Sequence, residues 1–279
     1  MKLSFVVATP EVRGTDATAY LGPLEPFFAQ LRQLEYDGVE LMIRDPREID
    51  APALRDLLQR YHLEVAIVNT GRVFMDDGLH LMTPPGPRRQ AALERMYAVI
   101  DFAVAVASPA PHPFGVQVNT GLSRGQPAAG QDRREARAWA VENLRRVADY
   151  AREHGVAIAV EPINRYQSTF INSGQEGLEL IREVGAENLR LQMDVFHMNM
   201  EETSLCGSLI RYRDYVSHVH VCDTNRQAPG LGHLDFVEIV DTLAALGYEG
   251  FLSAELATPD QRRAAEITAA VLKPLLPRS

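Results

Sequence analysis

Eight short β-rich runs alternate with eight longer amphipathic segments along the whole chain, and this alternation restricts the fold more than any other feature. The runs are KLSFVVA (2–8), GVELMI (38–43), EVAIVNT (64–70), FGVQVNT (114–120), AIAVEP (157–162), LRLQMD (189–194), SHVHVCD (217–223) and FLSAEL (251–256). Apolar residues three and four apart predict helices near 22–36, 50–62, 87–107, 133–154, 174–184, 203–215, 235–246 and 261–275. Gly155, Gly185 and Gly247 stand where three of these should stop. Asp50 and Asp235 stand where two should start. Regular β/α alternation calls for a parallel sheet. Eight repeats in 279 residues predict one closed (β/α)8 barrel, a single domain over 1–279. An open doubly wound sheet would need a phosphate-binding loop, but no GxGxxG follows the first run and no GxxxxGK[ST] occurs. The longest irregular stretch, GLSRGQPAAGQD (121–132), is expected to cover one barrel end, as a lid or as a surface insertion.

Composition narrows the partners. Hydrophobic residues make up 46% of the chain, enough for a large core. A net charge of −9 argues against a nucleic-acid surface, while leaving room for a small anionic substrate held by local Arg residues. Cys206 and Cys222 imply no disulfide framework and fit a reducing cytoplasm. MKLSFVVATP has too short an apolar stretch for a signal peptide, and no run approaches the roughly 18 apolar residues of a membrane helix.

A barrel gathers its functional groups at the C-terminal ends of its strands. Side chains two apart along a strand share a face. Ile158 and Val160 belong to the helix-facing side of the fifth run, so Glu161 points inward. By the same parity Asp194 points inward from the sixth, His218, His220 and Cys222 from the seventh, and Glu255 from the eighth. Three carboxylates in one pocket repel unless a cation sits between them. A divalent metal is the economical solution, and a structural ion-pair network is the alternative. Three oxygen donors and one imidazole suit Mn²⁺, with Mg²⁺, Co²⁺ or Zn²⁺ also compatible.

These residues lie in recognisable motifs. EPINRYQSTFIN (161–172), MDVFHMN (193–199), HVHVCDTNRQAPGLGH (218–233) and SAEL (253–256) resemble the xylose-isomerase-like TIM barrels of the sugar isomerase/epimerase group, which includes the ketose 3-epimerases. The resemblance runs over essentially the whole chain. Within the group, MIRDP (42–46), EPINRYQSTFIN and DTNRQAPGLGH are most similar to 5-keto-L-gluconate epimerase. The resemblance implies that Glu161, Asp194, His220 and Glu255 ligate a divalent metal, that Glu161 and Glu255 double as the acid/base pair, and that His197 and Arg226 contact the substrate near its carbonyl and adjacent hydroxyl. One departure stands out: several ketohexose epimerases carry a further Glu six residues after the first metal Glu, where this chain has Gln167. An amide there still hydrogen-bonds a hydroxyl but cannot act as a base.

Such a set is suited to proton transfer beside a ketone. A metal on the ketone and neighbouring hydroxyl oxygens stabilises the enediolate, one glutamate removes the proton, and the other returns it to the opposite face. The expected activity is therefore epimerisation of a small ketose or keto-sugar acid, of the 5-keto-L-gluconate/D-tagaturonate type. Aldose–ketose or hydroxypyruvate isomerisation and keto-inositol dehydration are alternatives on the same scaffold. An apurinic-endonuclease-type nuclease would need extra His from the second and third strands, where MIRDP and VNTGR have none. Asn69 and Asn119, at the ends of the third and fourth strands, are candidates for substrate hydroxyls or plain loop residues. Arg72, Arg124 and Arg165 are candidates for a substrate carboxylate or phosphate, or surface charges. His233 is a candidate support for the metal shell or a turn residue, and Cys222 is expected to be inert. A homodimer or homotetramer is a family-level expectation.

Overall fold

The computed structural model describes residues 1–14, 18–107 and 114–277. Eight strands close in chain order into a parallel barrel: β1 (Lys2–Ala8), β2 (Gly38–Met42), β3 (Glu64–Asn69), β4 (Val116–Asn119), β5 (Val156–Val160), β6 (Leu189–Asp194), β7 (Val216–Val221) and β8 (Phe251–Ala254). The seam is β1 against β8, with Ser4 opposite Ser253.

Around the barrel run α1 (Leu24–Gln33), α2 (Ala51–Arg60), α3 (Gly71–Asp77), α4 (Pro87–Val106), α5 (Arg133–Glu153), α6 (Gly174–Val184), α7 (Val195–Glu201), α8 (Leu205–Tyr212), α9 (Phe236–Ala245) and α10 (Gln261–Leu272). Eight of these match the helices expected from spacing. The other two, α3 and α7, are seven-residue helices that begin within two residues of the ends of β3 and β6. Such short helices carry too little periodicity to stand out in the sequence. The expected caps form: Asp50 accepts from the Ala53 N–H, and Asp235 from the Glu238 N–H. Gly185 ends α6 in the left-handed conformation that a glycine adopts without steric cost.

The apolar core lies between strands and helices, where Leu3, Phe5, Val7, Val39, Leu41, Val160, Leu191, Val219 and Leu252 meet the helices' inner faces. The alternate residues fill the barrel. Branched apolar side chains usually dominate there, but here Ser4, Glu40, Gln117, Gln192, His218, His220 and Ser253 are all buried. A polar interior tolerates burial only where its groups find partners. That requirement shapes the site above it.

Candidate active site

Four side chains converge at the C-terminal mouth of β5 to β8. Glu161 is the first residue after β5, Asp194 the last of β6, His220 lies near the end of β7, and Glu255 directly follows β8. His220 Nδ1 lies 3.4 Å from Glu161 Oε1, 3.4 Å from Glu255 Oε2 and 3.8 Å from Asp194 Oδ2. One donor atom from each of the four falls within 4.8 Å of every other. Metal–ligand distances of about 2.0–2.2 Å place donors roughly 3–4 Å apart, so the spacing fits one small divalent cation.

The charges point the same way. All four groups are buried. Arg226 reaches two of the three carboxylates: its Nη2 contacts Glu255 and lies 3.3 Å from Asp194 Oδ2. One guanidinium cannot balance three carboxylates, so the cluster retains negative charge for a cation to neutralise. His220 reports this imbalance. Burial alone would lower its pKa, yet Glu40, Glu255, Asp194 and Glu161 together hold it well above the usual imidazole range. Burial raises the pKa of the Glu255 carboxyl, but Arg226 and His220 outweigh it and bring it below its ordinary value.

Local structure explains why each group faces inward. Asp194 Oδ1 accepts the Phe196 N–H at 2.8 Å and so caps α7, while Oδ2 stays turned to the site. That cap starts α7 at once, and its first turn carries His197 beside Asp194, with 3.5 Å between His197 Nε2 and Asp194 Oδ2. Asn164 Oδ1 accepts the Tyr166 N–H, which leaves Asn164 Nδ2 to donate to His197 Nδ1 at 2.8 Å. The His197 proton therefore sits on Nε2, toward the site. Burial and nearby Arg226 depress the His197 pKa, with Asp194 opposing them, so the ring is a neutral donor. Arg226 adopts a left-handed conformation (φ 58°), uncommon outside glycine. Its loop is wound around Asp223, whose carboxylate accepts the N–H groups of Thr224, Gly230 and Leu234. Arg226 stacks on Phe196 at 4.6 Å, and its Nε and Nη1 are buried without a partner.

Above the cluster opens a cavity of about 400 Å³. Glu161, His197, Arg226 and Glu255 line it together with Asn69 and Gln167, while Met42, Met75, Leu122 and Ile163 give it an apolar side. This volume lies toward the small end of the range for small-molecule sites.

A profile of the xylose isomerase-like TIM barrel matches residues 28–275. The chain belongs to that family. It is 30% identical over 223 residues to L-ribulose 3-epimerase of Methylomonas sp. (strain DH-1), covering 79% of this chain and 73% of the relative. It is 35% identical over 114 residues to 3-dehydro-D-guloside 4-epimerase of Escherichia coli (strain K12), which covers 41% of this chain and 44% of the relative. A crystal structure of D-psicose 3-epimerase in the presence of D-fructose superposes with a TM-score of 0.80 over 98% of this chain and 97% of that one, at 19% identity, a likeness of fold. Similar family members are sugar epimerases, and the chain is an enzyme of this isomerase class.

Within the family's barrel, the remaining candidates fall in different places. The Asn69 amide is engaged at both ends, donating to Glu40 Oε1 (2.8 Å) and accepting the Gly71 N–H (2.9 Å). Asn119 Nδ2 lies 3.4 Å from Glu161 Oε2, and its Oδ1 is buried without a partner. Gln167 is exposed on the cavity rim. Arg72 lines the cavity and pairs with Asp76 one turn along α3. Arg165 is exposed and clamps Glu201. His233 is exposed, and Cys222 is buried with its thiol pKa pushed well up, first by burial and then by Asp194.

Two residues depart from the sequence expectation. Arg124 is neither a surface charge nor a cavity residue: it is fully buried and donates to the carbonyls of Gly121 (2.6 Å), Phe170 (2.6 Å) and Ile171 (3.1 Å). Segment 121–132 is thus tied at its start to the loop after β5. The other is Glu40, absent from the sequence analysis, which lies beneath His220 inside the barrel. A lone carboxylate in the apolar strand GVELM was the available signal, because a charge on a buried strand must have a partner.

Proposed function

We propose that this enzyme is a divalent-metal-dependent epimerase of a small ketose or keto-sugar acid. The observation that carries the proposal is the convergence of Glu161, Asp194, His220 and Glu255 on one point at the floor of the cavity, with two of them glutamates that also line it. The donor set favours Mn²⁺, and the same oxygens and single imidazole suit Mg²⁺, Co²⁺ or Zn²⁺. When bound, such an ion supplies Lewis-acid polarisation of the ketone, which acidifies the adjacent C–H.

The chain's own residues do the rest. Glu161 and Glu255 come from β5 and β8, separated around the ring, so their carboxylates approach a bound sugar from different sides. One removes the proton beside the ketone, and the other protonates the opposite face, inverting the centre. The unpartnered Nε and Nη1 of Arg226 are donors for the oxygen that gains charge. His197 offers Nε2–H to a substrate oxygen, and the Asn164 bond keeps it a donor. Arg72, which lines the cavity beside its partner Asp76, is the candidate cation for a substrate carboxylate, while Met42, Met75 and Leu122 offer an apolar side to the sugar's C–H groups.

The test is proton exchange. The protein is incubated with Mn²⁺ in D₂O with neutral ketoses, keto-sugar acids and their phosphates, and followed by ¹H NMR. Deuterium beside the carbonyl together with a new epimer identifies substrate and reaction. Exchange accompanied by an aldose would make the enzyme an aldose–ketose isomerase. Absence of exchange from every compound, in wild type as in Glu255→Gln, would exclude epimerisation of that panel.

A further inference from the structure

We infer that Glu40, on β2 across the barrel from the metal ligands, is a positioning residue for the metal: it holds the His220 ring by Nε2, so that Nδ1 is the nitrogen turned toward a cation held among the three carboxylates. The inference rests on the metal reading above and concerns a residue outside the proposed ligand set.

Glu40 is fully buried in the middle of β2. Its partners saturate it. Oε1 accepts from Asn69 Nδ2 (2.8 Å) and lies 3.1 Å from His220 Nε2. Oε2 lies 2.9 Å from His218 Nε2 and 2.9 Å from His220 Nε2. A carboxylate accepts and does not donate, so both imidazoles carry a proton on Nε2. The consequences for the two rings differ. His218 Nδ1 has no partner, which leaves a buried lone pair rather than an unpaired N–H. His220 Nδ1 faces Glu161, Asp194 and Glu255. With one proton fixed on Nε2 by Glu40, loss of the other leaves a lone pair on Nδ1 that faces the three carboxylates, where a cation takes it; Gln192 Nε2, 3.4 Å from Nδ1, also lies within reach.

The charge adds to the geometry. A carboxylate behind a ligating imidazole fixes its tautomer and raises its basicity. Glu40 is also held from three strands: its own, β3 through Asn69, and β7 through both histidines. Asn69 extends the connection by accepting the Gly71 N–H at the start of α3, the helix that brings Arg72 and Met75 to the cavity. One buried carboxylate therefore joins the metal floor to a wall of the substrate cavity.

The experiment measures Mn²⁺ affinity by electron paramagnetic resonance of the free ion, independently of turnover. Wild type, Asp194→Asn, Glu40→Gln and Glu64→Gln are titrated. Glu64→Gln removes one carboxylate from β3 that pairs with Lys2 away from the site. Glu40→Gln brings an N–H donor to the histidines, which favours the opposite His220 tautomer. Its Kd for Mn²⁺ should rise about 10- to 100-fold, with kcat at saturating Mn²⁺ recovering most of its wild-type value. Glu64→Gln should bind as wild type does. A Glu40→Gln affinity within twofold of wild type overturns the inference, even if its melting temperature falls. Should Glu40→Gln not fold, Glu40→Asp keeps the charge but withdraws it by one methylene. A loss of at least threefold is then expected, and a change below twofold overturns the inference. Failure of wild type to bind Mn²⁺, or equal binding by Asp194→Asn, would remove the metal reading itself.

Discussion

The two halves of the barrel use buried charge in different ways. Strands β5 to β8 place Glu161, Asp194, His220 and Glu255 at or just past their ends, where the groups border a cavity. Strands β1 to β4 place amides at the ends of β3 and β4, Asn69 and Asn119, and hold Glu40 in mid-strand. A charge at a strand end can be completed by something that enters. A charge inside the barrel has to be completed by the protein, as Asn69, His218 and His220 complete Glu40. On the proposed reading the first kind serves chemistry and the second serves position.

The sharpest way to break this contrast is to neutralise one charge of each kind. Glu255→Gln should lower kcat by about 10³–10⁴-fold, the upper range for loss of a general acid or base, with the far-ultraviolet circular dichroism unchanged. Glu161→Gln should behave alike, and steady-state kinetics at saturating Mn²⁺ measures both. If Glu40→Gln at saturating Mn²⁺ falls as far as they do, the division between chemistry and position is wrong.

On the proposed metal reading, chelation should act on the strand-end half alone. Chelation should abolish turnover, and Mn²⁺ should restore it. An ion present at 100 times its Kd stabilises the fold by about 2.7 kcal/mol, a rise of several degrees in Tm by scanning fluorimetry. The pH dependence follows from His220, whose pKa in the metal-free fold lies well above the usual imidazole value because burial is outweighed by four carboxylates. A raised folded-state pKa stabilises the metal-free fold below the unfolded value of about 6.5, and this stabilisation is lost as pH rises through the folded value. Metal binding must displace that proton. Mn²⁺ affinity should therefore rise with pH, by up to about tenfold per unit, until the folded pKa is passed. Calorimetry in buffers of different ionisation enthalpy counts the released proton, and a pH-independent affinity with no release would contradict this account.

The same division explains what the sequence revealed. Strand alternation and parity located Glu161, Asp194, His220 and Glu255 because a strand-end charge interrupts an apolar run at a predictable place. Glu40 sits inside its run, where a lone carboxylate signals that a partner exists but not which one, because its partners come from β3 and β7, distant in sequence. Arg124 escaped for a related reason. A guanidinium in a Gly- and Pro-containing loop looks like surface, and nothing local indicates that its acceptors are carbonyls at Phe170 and Ile171. Burial lowers its pKa to about 10, which still leaves it charged at neutral pH. Arg124→Met should strand those carbonyls and cost about 3 kcal/mol in urea unfolding, with faster proteolysis within 121–132. Unchanged stability would mean that the loop is not held by this residue.

Arg165 supplies the smallest expected effect and a control on the whole comparison. It follows Asn164 in the EPINRYQ segment, and its place in the sequence leaves it a candidate for a substrate anion or a surface charge, whereas the resemblance implies a substrate contact for Arg226. The structure separates them. Arg226 is buried against Asp194 and Glu255 with two donor nitrogens unpartnered, whereas Arg165 is exposed and its Nε and Nη2 are both taken by Glu201. Arg165 is exposed while the Glu201 side chain it clamps is largely buried, so the pair is only partly screened by water and salt and its contribution stays modest. Its backbone N–H also donates to Glu201, so the loop keeps one anchor when the side chain is cut back. Arg165→Ala should change kcat/KM by less than about twofold on neutral and acidic substrates alike, with Tm falling by a few degrees at most because the Glu201 carboxylate loses its side-chain partner. A rise in KM confined to acidic substrates would instead place Arg165 among the substrate contacts, and would mean that the Glu201 clamp opens when an anion arrives.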